Sequence, residues 1–129
     1  MLKIILDTHM FLWAISAPEK ISKDRRIDIQ LLSNTVFLSS ISIAELMIKD
    51  SIGKIAINFD PVEVAEESGF EFLEFSAHDA VLLKDLPFHH KDPFDRMLIV
   101  QSISRNIPFM TDDQKFSKYN CKLVWIIFS

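Results

Sequence analysis

The chain has 129 residues, enough for one domain with a hydrophobic core, and 49% of them are hydrophobic with a mean hydropathy of +0.19. Either the core is very full, or some apolar surface is buried against a partner. No apolar run is long enough to cross a bilayer, and the amino terminus lacks the layout of a signal peptide. Cys121 is the only cysteine, which excludes an internal disulfide and a cysteine-based metal site. We therefore expect a cytoplasmic protein with no membrane partner.

The net charge counts against a nucleic-acid binder unless metal ions are involved. Lys and Arg number 14 against 18 Asp and Glu, which gives a formal charge of −4, whereas domains that bind nucleic acid are usually basic. If four of the carboxylates hold metal ions, the remainder of the chain is neutral, and the cations place positive charge where a phosphate would lie. This weakens the objection without removing it.

Strand-like and helical segments alternate from the amino terminus onward. The first half contains, in chain order, a strand at Leu2–Leu6, helices at Thr8–Ile15 and Ser22–Ser33, a strand at Thr35–Leu38 and a helix at Ser42–Ile52. The second half contains a helix at Pro61–Ser68, a strand at Phe70–Phe75, helices at Ala77–Lys84 and Pro93–Arg105, and strands at Ile107–Met110 and Leu123–Ile127. The apolar face of the second helix is expected to comprise Ile27, Ile29, Leu31 and Leu32.

This alternation predicts right-handed crossovers and a parallel sheet. The strand segments are near-continuous apolar runs, as expected for strands that are buried on both faces. We predict a single domain over residues 1–129 with an α/β fold, a three-layer α/β/α sandwich around a mainly parallel sheet of about five strands. In such sheets, ligands bind at the carboxyl ends of the strands, near a topological switch point.

Four acidic residues from distant parts of the chain are predicted to meet at that edge. Asp7 follows the first strand directly, and Asp113 comes just after the fourth strand, past Thr111. Glu45 and Asp95 are expected in the first turns of the helices after the second strand and before the fourth. Convergence of four carboxylates would raise their pKa values and destabilise the fold unless a cation lay among them.

Each acid also has a purely structural explanation. Asp7 is placed to cap the helix that follows it, and the pair Asp112-Asp113 fits a turn. The segment Ser42-Ile43-Ala44-Glu45 fits a capping box. Asp92 is the expected cap of the helix that begins at Pro93, and the dipole of that helix favours an acid such as Asp95 in its first turn. These alternatives stay open at the level of sequence.

A cluster made only of carboxylates suits a hard cation such as Mg²⁺ or Mn²⁺. The chemistry that it indicates is phosphodiester hydrolysis, in which one metal ion lowers the pKa of an attacking water and a second, if present, stabilises the leaving oxygen. This chemistry requires neither a His base nor a Cys nucleophile.

Four segments resemble the PIN-domain family, and specifically its VapC-type toxins. They are Ile5-Leu6-Asp7-Thr8-His9-Met10-Phe11-Leu12-Trp13, Ser39-Ser40-Ile41-Ser42-Ile43-Ala44-Glu45-Leu46, His89 to Gln101 with its core Asp92-Pro93-Phe94-Asp95-Arg96, and Phe109-Met110-Thr111-Asp112-Asp113 followed by Phe116. The third segment is the most specific match. The resemblance runs from about Leu2 to Trp125.

The resemblance implies that catalysis and metal binding fall to Asp7, Glu45, Asp95 and Asp113. It implies that these ligands are supported by Thr8, Asp92, Thr111 and Asp112. The last motif of the family usually reads Thr-x-Asp, which selects Asp113 over Asp112 as the fourth ligand. Nearby, His90, Lys91 and Arg96 are candidates for contacts with RNA.

The resemblance also implies a metal-dependent endoribonuclease that is a homodimer and is inhibited by a cognate antitoxin protein. Antitoxins of this group wrap the toxin with a helical or extended segment. A candidate groove is the apolar stretch of Met10, Phe11, Trp13 and Ile15 with the helices that follow, although such residues could equally be core.

Other functions compete with this one. A phosphoacceptor receiver domain needs an acidic pair after its first strand, an Asp after its third and a Lys after its fifth. Here Asp7 is single, the third strand ends at Phe75-Ser76 and the fifth at Phe128-Ser129, so that reading fails. A non-catalytic module on the same fold that binds nucleic acid or protein stays open. So does a DNase, because the residues alone do not separate RNA from DNA.

Overall fold

The computed structural model describes residues 1–89, 91–113, 116, 119 and 123–125. Its strands are β1 (Lys3–Leu6), β2 (Thr35–Ser39), β3 (Glu71–Leu73), β4 (Phe109–Thr111) and β5 (Leu123–Trp125). They form one sheet in the order β3-β2-β1-β4-β5, and every neighbouring pair is parallel. The predicted parallel sheet of about five strands is confirmed.

The described residues include six α-helices, which connect the strands. They are α1 (Thr8–Ser16), α2 (Lys23–Gln30), α3 (Ser40–Ser51), α4 (Pro61–Glu67), α5 (Ala77–Val81) and α6 (Pro93–Arg105). Two short 3₁₀ turns, Pro18–Lys20 and Leu82–Asp85, follow α1 and α5. Helix α6 has the bounds that the sequence predicts, because Asp92 caps it and Pro93 occupies its first position.

The helices cover both faces of the sheet. Because side chains alternate across a strand, Ile4 and Leu6 of β1 point to one face and Ile5 to the other, and all three are fully buried. On the first face they pack with residues of α1, α3 and α4, namely Met10, Phe11, Leu46 and Ala65. On the second face Ile5 packs with residues of α6 and β4, namely Leu98, Ile99 and Phe109. The predicted three-layer α/β/α sandwich is confirmed.

The strand order creates a switch point at the centre of the sheet. From β1 the chain moves outward through β2 to β3, and it then returns to the other side of β1 to form β4 and β5. The carboxyl ends of β1 and β4 are therefore neighbours, with Ile5 opposite Phe109 and Leu6 opposite Met110. This is the place where α/β sheets of this kind bind ligands.

The second helix differs most from its prediction. It ends at Gln30 rather than Ser33, because the chain turns there to enter β2. Asn34 holds that turn by accepting a hydrogen bond from Leu2 N and donating one to Asp28 O, each 2.9 Å long. As a result Ile27, Leu31 and Leu32 are exposed, and only Ile29 of the expected apolar set packs on the core.

Other boundaries move by a few residues. Strand β3 ends at Leu73 rather than Phe75, because its partner β2 ends at Ser39, which lies opposite Leu73. The helix expected over Ala77–Lys84 is α-helical only to Val81 and then tightens into a 3₁₀ turn. Positions 126 and 127, expected in the fifth strand, lie outside the described residues.

The stretch proposed as part of a groove divides into two groups. Met10 and Phe11 are fully buried in the core, so the core explanation applies to them, whereas Trp13 and Ile15 lie half-buried at its edge. In the part of the chain that the structure describes, every helix is too short or too polar to span a membrane.

Candidate active site

Asp7 and Thr111 meet at the switch point. The Asp7 amide donates to Met110 O at 3.0 Å, which continues the pairing of β1 with β4. The Thr111 hydroxyl donates to Asp7 Oδ2 at 2.7 Å and accepts from the Asp113 amide at 3.0 Å. Asp7 is 7% exposed and Thr111 is fully buried. One hydroxyl thus ties the first of the predicted acids to the backbone of the last.

Glu45 is held by residues from α1 and α3. Thr8 Oγ1 lies 2.9 Å from both Glu45 Oε1 and Ser42 Oγ, and all three side chains are buried. The capping-box alternative for Ser42 and Glu45 is wrong, because α3 begins at Ser40 and its cap is Ser39, whose hydroxyl accepts from Ile41 N. Glu45 therefore lies in the second turn of α3 rather than the first.

Lys49 pairs with the other oxygen of Glu45. Its ammonium lies 2.6 Å from Glu45 Oε2, one helical turn along α3. The hydrogen bond to Glu45 raises the pKa of Lys49, so this side chain carries a positive charge at neutral pH. Glu45 is thus engaged on both oxygens.

The start of α6 brings two more carboxylates to the same place. Asp92 caps the helix by accepting from the amides of Phe94 at 2.9 Å and Asp95 at 3.2 Å. Asp95 is consequently fixed in the first turn, as the sequence predicts. The favourable dipole at this helix end does not remove the cost of bringing further acids close.

All four predicted acids line one cleft of about 360 Å³. Its walls are Asp7, His9, Glu45, Lys49, Asp92, Asp95, Asp112, Asp113 and Phe116. Among the described residues, no three Asp, Glu, His or Cys side chains are close enough together to hold an ion as they are placed. The acids therefore share a cleft, and ligation of one ion by several of them requires their side chains to move inward.

The cleft perturbs two of its acids strongly. Burial raises the pKa of Asp7 to about 6, although the hydrogen bond from Thr111 and the nearby His9 oppose the shift. Burial also raises the pKa of Asp95 to about 8, and the negative charges of Asp92, Asp7, Glu45 and Asp113 add to it. Asp95 shifts further although it is less buried, because four acids surround it. The cleft holds more negative charge than its residues neutralise.

The donor chemistry fits a hard divalent cation. The perturbed groups are carboxylates, which are the ligands that Mg²⁺ and Mn²⁺ prefer, and none of the described residues that line the cleft is a cysteine. A cation among them would remove the mutual repulsion that raises the pKa of Asp95. The fit rests on charge and on the kind of oxygen offered.

The sequence matches the PIN-domain family over residues 4–121. The chain belongs to the PIN-domain family. The resemblance noted in the sequence is confirmed at this level. The search of curated proteins found no match.

Solved structures from several bacteria share the fold of this PIN domain. The crystal structure of VapBC2 from Rickettsia felis bound to a DNA fragment from the promoter is similar at 20% identity and a TM-score of 0.74, covering 97% of this chain and 99% of that chain. The DNA-bound VapBC from Salmonella typhimurium is similar at 21% identity and a TM-score of 0.67, covering 96% of this chain and 98% of that chain. VapBC-5 from Mycobacterium tuberculosis is a member of the VapBC family of toxin–antitoxin systems. It is similar at 17% identity and a TM-score of 0.61, covering 98% of each chain.

Of the residues predicted to contact RNA, Lys91 lies in the loop before α6 and Arg96 lies in the first turn of that helix. Lys91 is exposed, and His90 lies outside the described residues. The Arg96 guanidinium donates to Pro87 O at 3.1 Å and Leu86 O at 3.2 Å. It also lies 4.6 Å from the centre of the exposed Phe88 ring. Arg96 thus holds this loop of the PIN domain in place.

Sequence reasoning missed several residues of the cleft. Lys49 follows Glu45 by four residues, which is the spacing of a helical ion pair, but the sequence does not show that this pair lines the cleft. His9 and Phe116 line the cleft, and Ser42 buttresses Thr8. Their positions depend on how α1, α3 and the segment after β4 pack together, which local sequence does not reveal.

Proposed function

We propose that this PIN domain is a metal-dependent endoribonuclease that acts as the toxin of a toxin–antitoxin pair. The observation that carries the proposal is the convergence of Asp7, Glu45, Asp95 and Asp113 on one cleft at the switch point of the sheet. Family membership and the likeness to VapBC structures support it. Mg²⁺ or Mn²⁺ is the proposed cofactor, and the cytoplasm is the proposed place of action.

The carboxylates of the cleft and the hydroxyls that bond to them have separate roles in this proposal. The chemistry that a bound divalent cation would supply there is a water of lowered pKa, suited to attack on a phosphodiester. Asp7, Glu45, Asp95 and Asp113 would hold the cation. Thr111 orients Asp7 through its 2.7 Å hydrogen bond, and Thr8 orients Glu45 at 2.9 Å. These hydrogen bonds would limit the rotation of the Asp7 and Glu45 side chains, whereas ligation of one ion by several acids would still require side-chain movement.

The test is RNA cleavage by purified protein with Mg²⁺, with Mn²⁺ and with EDTA. The matched variants Asp7→Asn and Asp95→Asn keep shape and remove charge. Metal-dependent cleavage that both variants lose supports the nuclease and two of its ligands, whereas equal cleavage by wild type and variants identifies contamination.

Adding Asp112→Asn and Asp113→Asn decides the fourth ligand, and we expect the larger loss of cleavage from Asp113→Asn.

The main alternative is a non-catalytic binding module on the same fold. If the protein cleaves none of several RNAs, its induction in cells separates the two functions. Growth arrest that the Asp95→Asn variant does not cause would indicate a nuclease with a narrow target. No arrest with either protein would favour the binding module. Single-stranded DNA in the same assay tests whether the activity is instead that of a DNase.

A cognate antitoxin is the proposed protein partner. Solved relatives of similar fold are VapBC assemblies, and VapBC-5 belongs to a family of toxin–antitoxin systems. A groove of about 300 Å³ beside α1 and α2 is lined in part by Ile15, Ile29, Leu31 and Leu32. Its exposed leucines fit an apolar segment of a partner.

A homodimer is also proposed, and light scattering coupled to gel filtration would measure its mass.

A further inference from the structure

Lys49 is the charged residue of the cleft to which the proposed nuclease chemistry assigns no role. Among the described residues that line the cleft, it is the only Lys or Arg. Its side chain is 28% exposed while that of Glu45 is 5% exposed, so the pair lies where the cleft wall meets the interior. Asp92 and Asp95, from the opposite helix α6, also attract this ammonium. Lys49 therefore sits where a cation would be stabilised.

Both oxygens of Glu45 are engaged in the structure. Thr8 bonds to Oε1 at 2.9 Å and Lys49 to Oε2 at 2.6 Å. A buried carboxylate without partners is costly, and a hydrogen bond from an ammonium is stronger than one from an uncharged donor. In this arrangement Lys49 neutralises part of the acidic cluster, and it also occupies an oxygen that a metal ion would need.

We propose that Lys49 is a built-in counter-ion of the cleft and that it competes with a divalent cation for Glu45. The inference rests on the proposed function, because it assumes that a cation binds among the four acids. A cation that takes Glu45 as a ligand meets the positive charge of Lys49 nearby, so the ion pair must open or binding must weaken. Lys49 thus stabilises the cluster of acids when no metal ion is bound, and it lowers the affinity of the cleft for a metal ion.

The first test is Mn²⁺ affinity, measured by isothermal titration calorimetry at pH 7.5. Lys49→Met and Lys49→Gln remove the charge, Lys49→Arg keeps it, and Lys54→Met removes an exposed charge from the segment after α3. We expect the two neutral variants to bind Mn²⁺ about tenfold more tightly than wild type, because one repelling charge is gone. Lys49→Arg and Lys54→Met should stay within about twofold of wild type.

The second test is thermal unfolding in EDTA and in saturating Mn²⁺. The neutral variants should unfold at lower temperature than wild type in EDTA, and Mn²⁺ should raise their unfolding temperature by more than it raises that of wild type. If both neutral variants are folded only with Mn²⁺, the ion has taken over the role of Lys49, which supports the inference. This readout does not depend on catalysis.

Unchanged or weaker Mn²⁺ binding by both neutral variants would overturn the inference. So would an equal gain of affinity in Lys54→Met, because the effect would then be one of net charge. If wild type cleaves RNA with Mn²⁺ while Lys49→Met binds no tighter, the inference fails and the proposed function stands. If neither wild type nor the neutral variants bind Mn²⁺ and wild type cleaves nothing, the proposed function fails with it.

Discussion

Asp95 shows at the scale of one residue how an acidic cleft lowers the stability of the fold that forms it. Its pKa of about 8 lies far above the value of about 3.9 expected in an unfolded chain. Between these values the folded protein binds more protons than the unfolded chain, so the contribution of Asp95 to stability is lost progressively as pH rises from about 4 to 8. Without metal, Asp95 is therefore a destabilising residue at neutral pH.

We accordingly predict that Asp95→Asn abolishes metal-dependent cleavage but stabilises the metal-free protein. In EDTA at pH 8 the gain should be about 2 kcal/mol, which corresponds to several degrees in Tm, and it should shrink towards zero near pH 4. Calorimetric unfolding from pH 4 to pH 9 measures this difference. The control is Asp85→Asn, which removes an exposed charge outside the cleft. A variant less stable than wild type at pH 8 contradicts the prediction.

Substitutions of Thr111 test whether the orientation of the Asp7 carboxylate affects metal binding and cleavage. Thr111→Val keeps the shape but removes the hydroxyl that donates to Asp7 and accepts from the Asp113 amide. We expect a loss of about 10- to 100-fold in Mn²⁺ affinity or in cleavage rate, as is typical when a group that supports a ligand is removed. Thr111→Ser retains the hydroxyl and should recover most of the activity. An equal loss in both variants would indicate packing rather than the hydrogen bond.

At this scale the sequence predicted positions better than contacts. Asp7, Asp95 and Asp113 could be placed because each follows a strand or begins a helix, and those ends share one edge of a parallel sheet. The ties among them run between residues far apart in the chain, such as Thr8 with Glu45 and Thr111 with Asp7. No local pattern specifies such contacts, so only the packed fold reveals them.

At the scale of elements, Asp79 joins α5 to α6. Its buried carboxylate accepts from Ser76 N at 2.9 Å, Ser104 Oγ at 2.9 Å and Arg105 Nη2 at 2.8 Å. Burial acts to raise the pKa of Asp79, but these hydrogen bonds outweigh it and the pKa is lowered. The stabilisation is therefore present above the unfolded value near about 3.9 and is lost as pH falls through the lower folded value.

Asp79→Asn should destabilise the protein by about 1–3 kcal/mol at pH 7, because an amide cannot accept all of these hydrogen bonds and leaves Arg105 without its charged partner. The difference from wild type should narrow below about pH 4. Urea unfolding at pH 7 and pH 3.5 provides the measurement. Cleavage per folded molecule should be unchanged, since Asp79 does not line the cleft. A difference that grows as the pH falls would contradict this account.

Elements with strong end signals were predicted closely, and those decided by tertiary structure were not. Helix α6 matched because Asp92 and Pro93 define its start whatever surrounds it. Helix α2 ended early because Asn34 fixes the turn into β2 through contacts with Leu2 and Asp28. Strand β3 was too long in the prediction because its length is set by β2, its neighbour in the sheet.

At the scale of the whole molecule, the puzzle is an acidic protein proposed to act on RNA. Its net charge is −4, and the cleft itself concentrates carboxylates with only Lys49 to offset them among the described lining residues. An RNA phosphate approaching such a cleft is repelled. A divalent cation held by the acids reverses the local field and gives the phosphate a partner. Binding of RNA should therefore depend on the cation before any bond is cleaved.

We predict that RNA binds only when a divalent cation is present. The measurement is the fluorescence anisotropy of a fluorescein-labelled single-stranded RNA in Ca²⁺ and in EDTA, with the RNA checked for cleavage afterwards. We expect binding in Ca²⁺ and no binding in EDTA. Because few Lys and Arg contribute, the slope of log affinity against log salt should be no steeper than about −2, as for two or three phosphate contacts. The double variant Asp7→Asn/Asp95→Asn removes two repelling charges and two ligands, so it should lose the response to Ca²⁺. Equal binding in EDTA, or a steep salt dependence, would mean that a basic surface rather than the cleft cation recruits RNA.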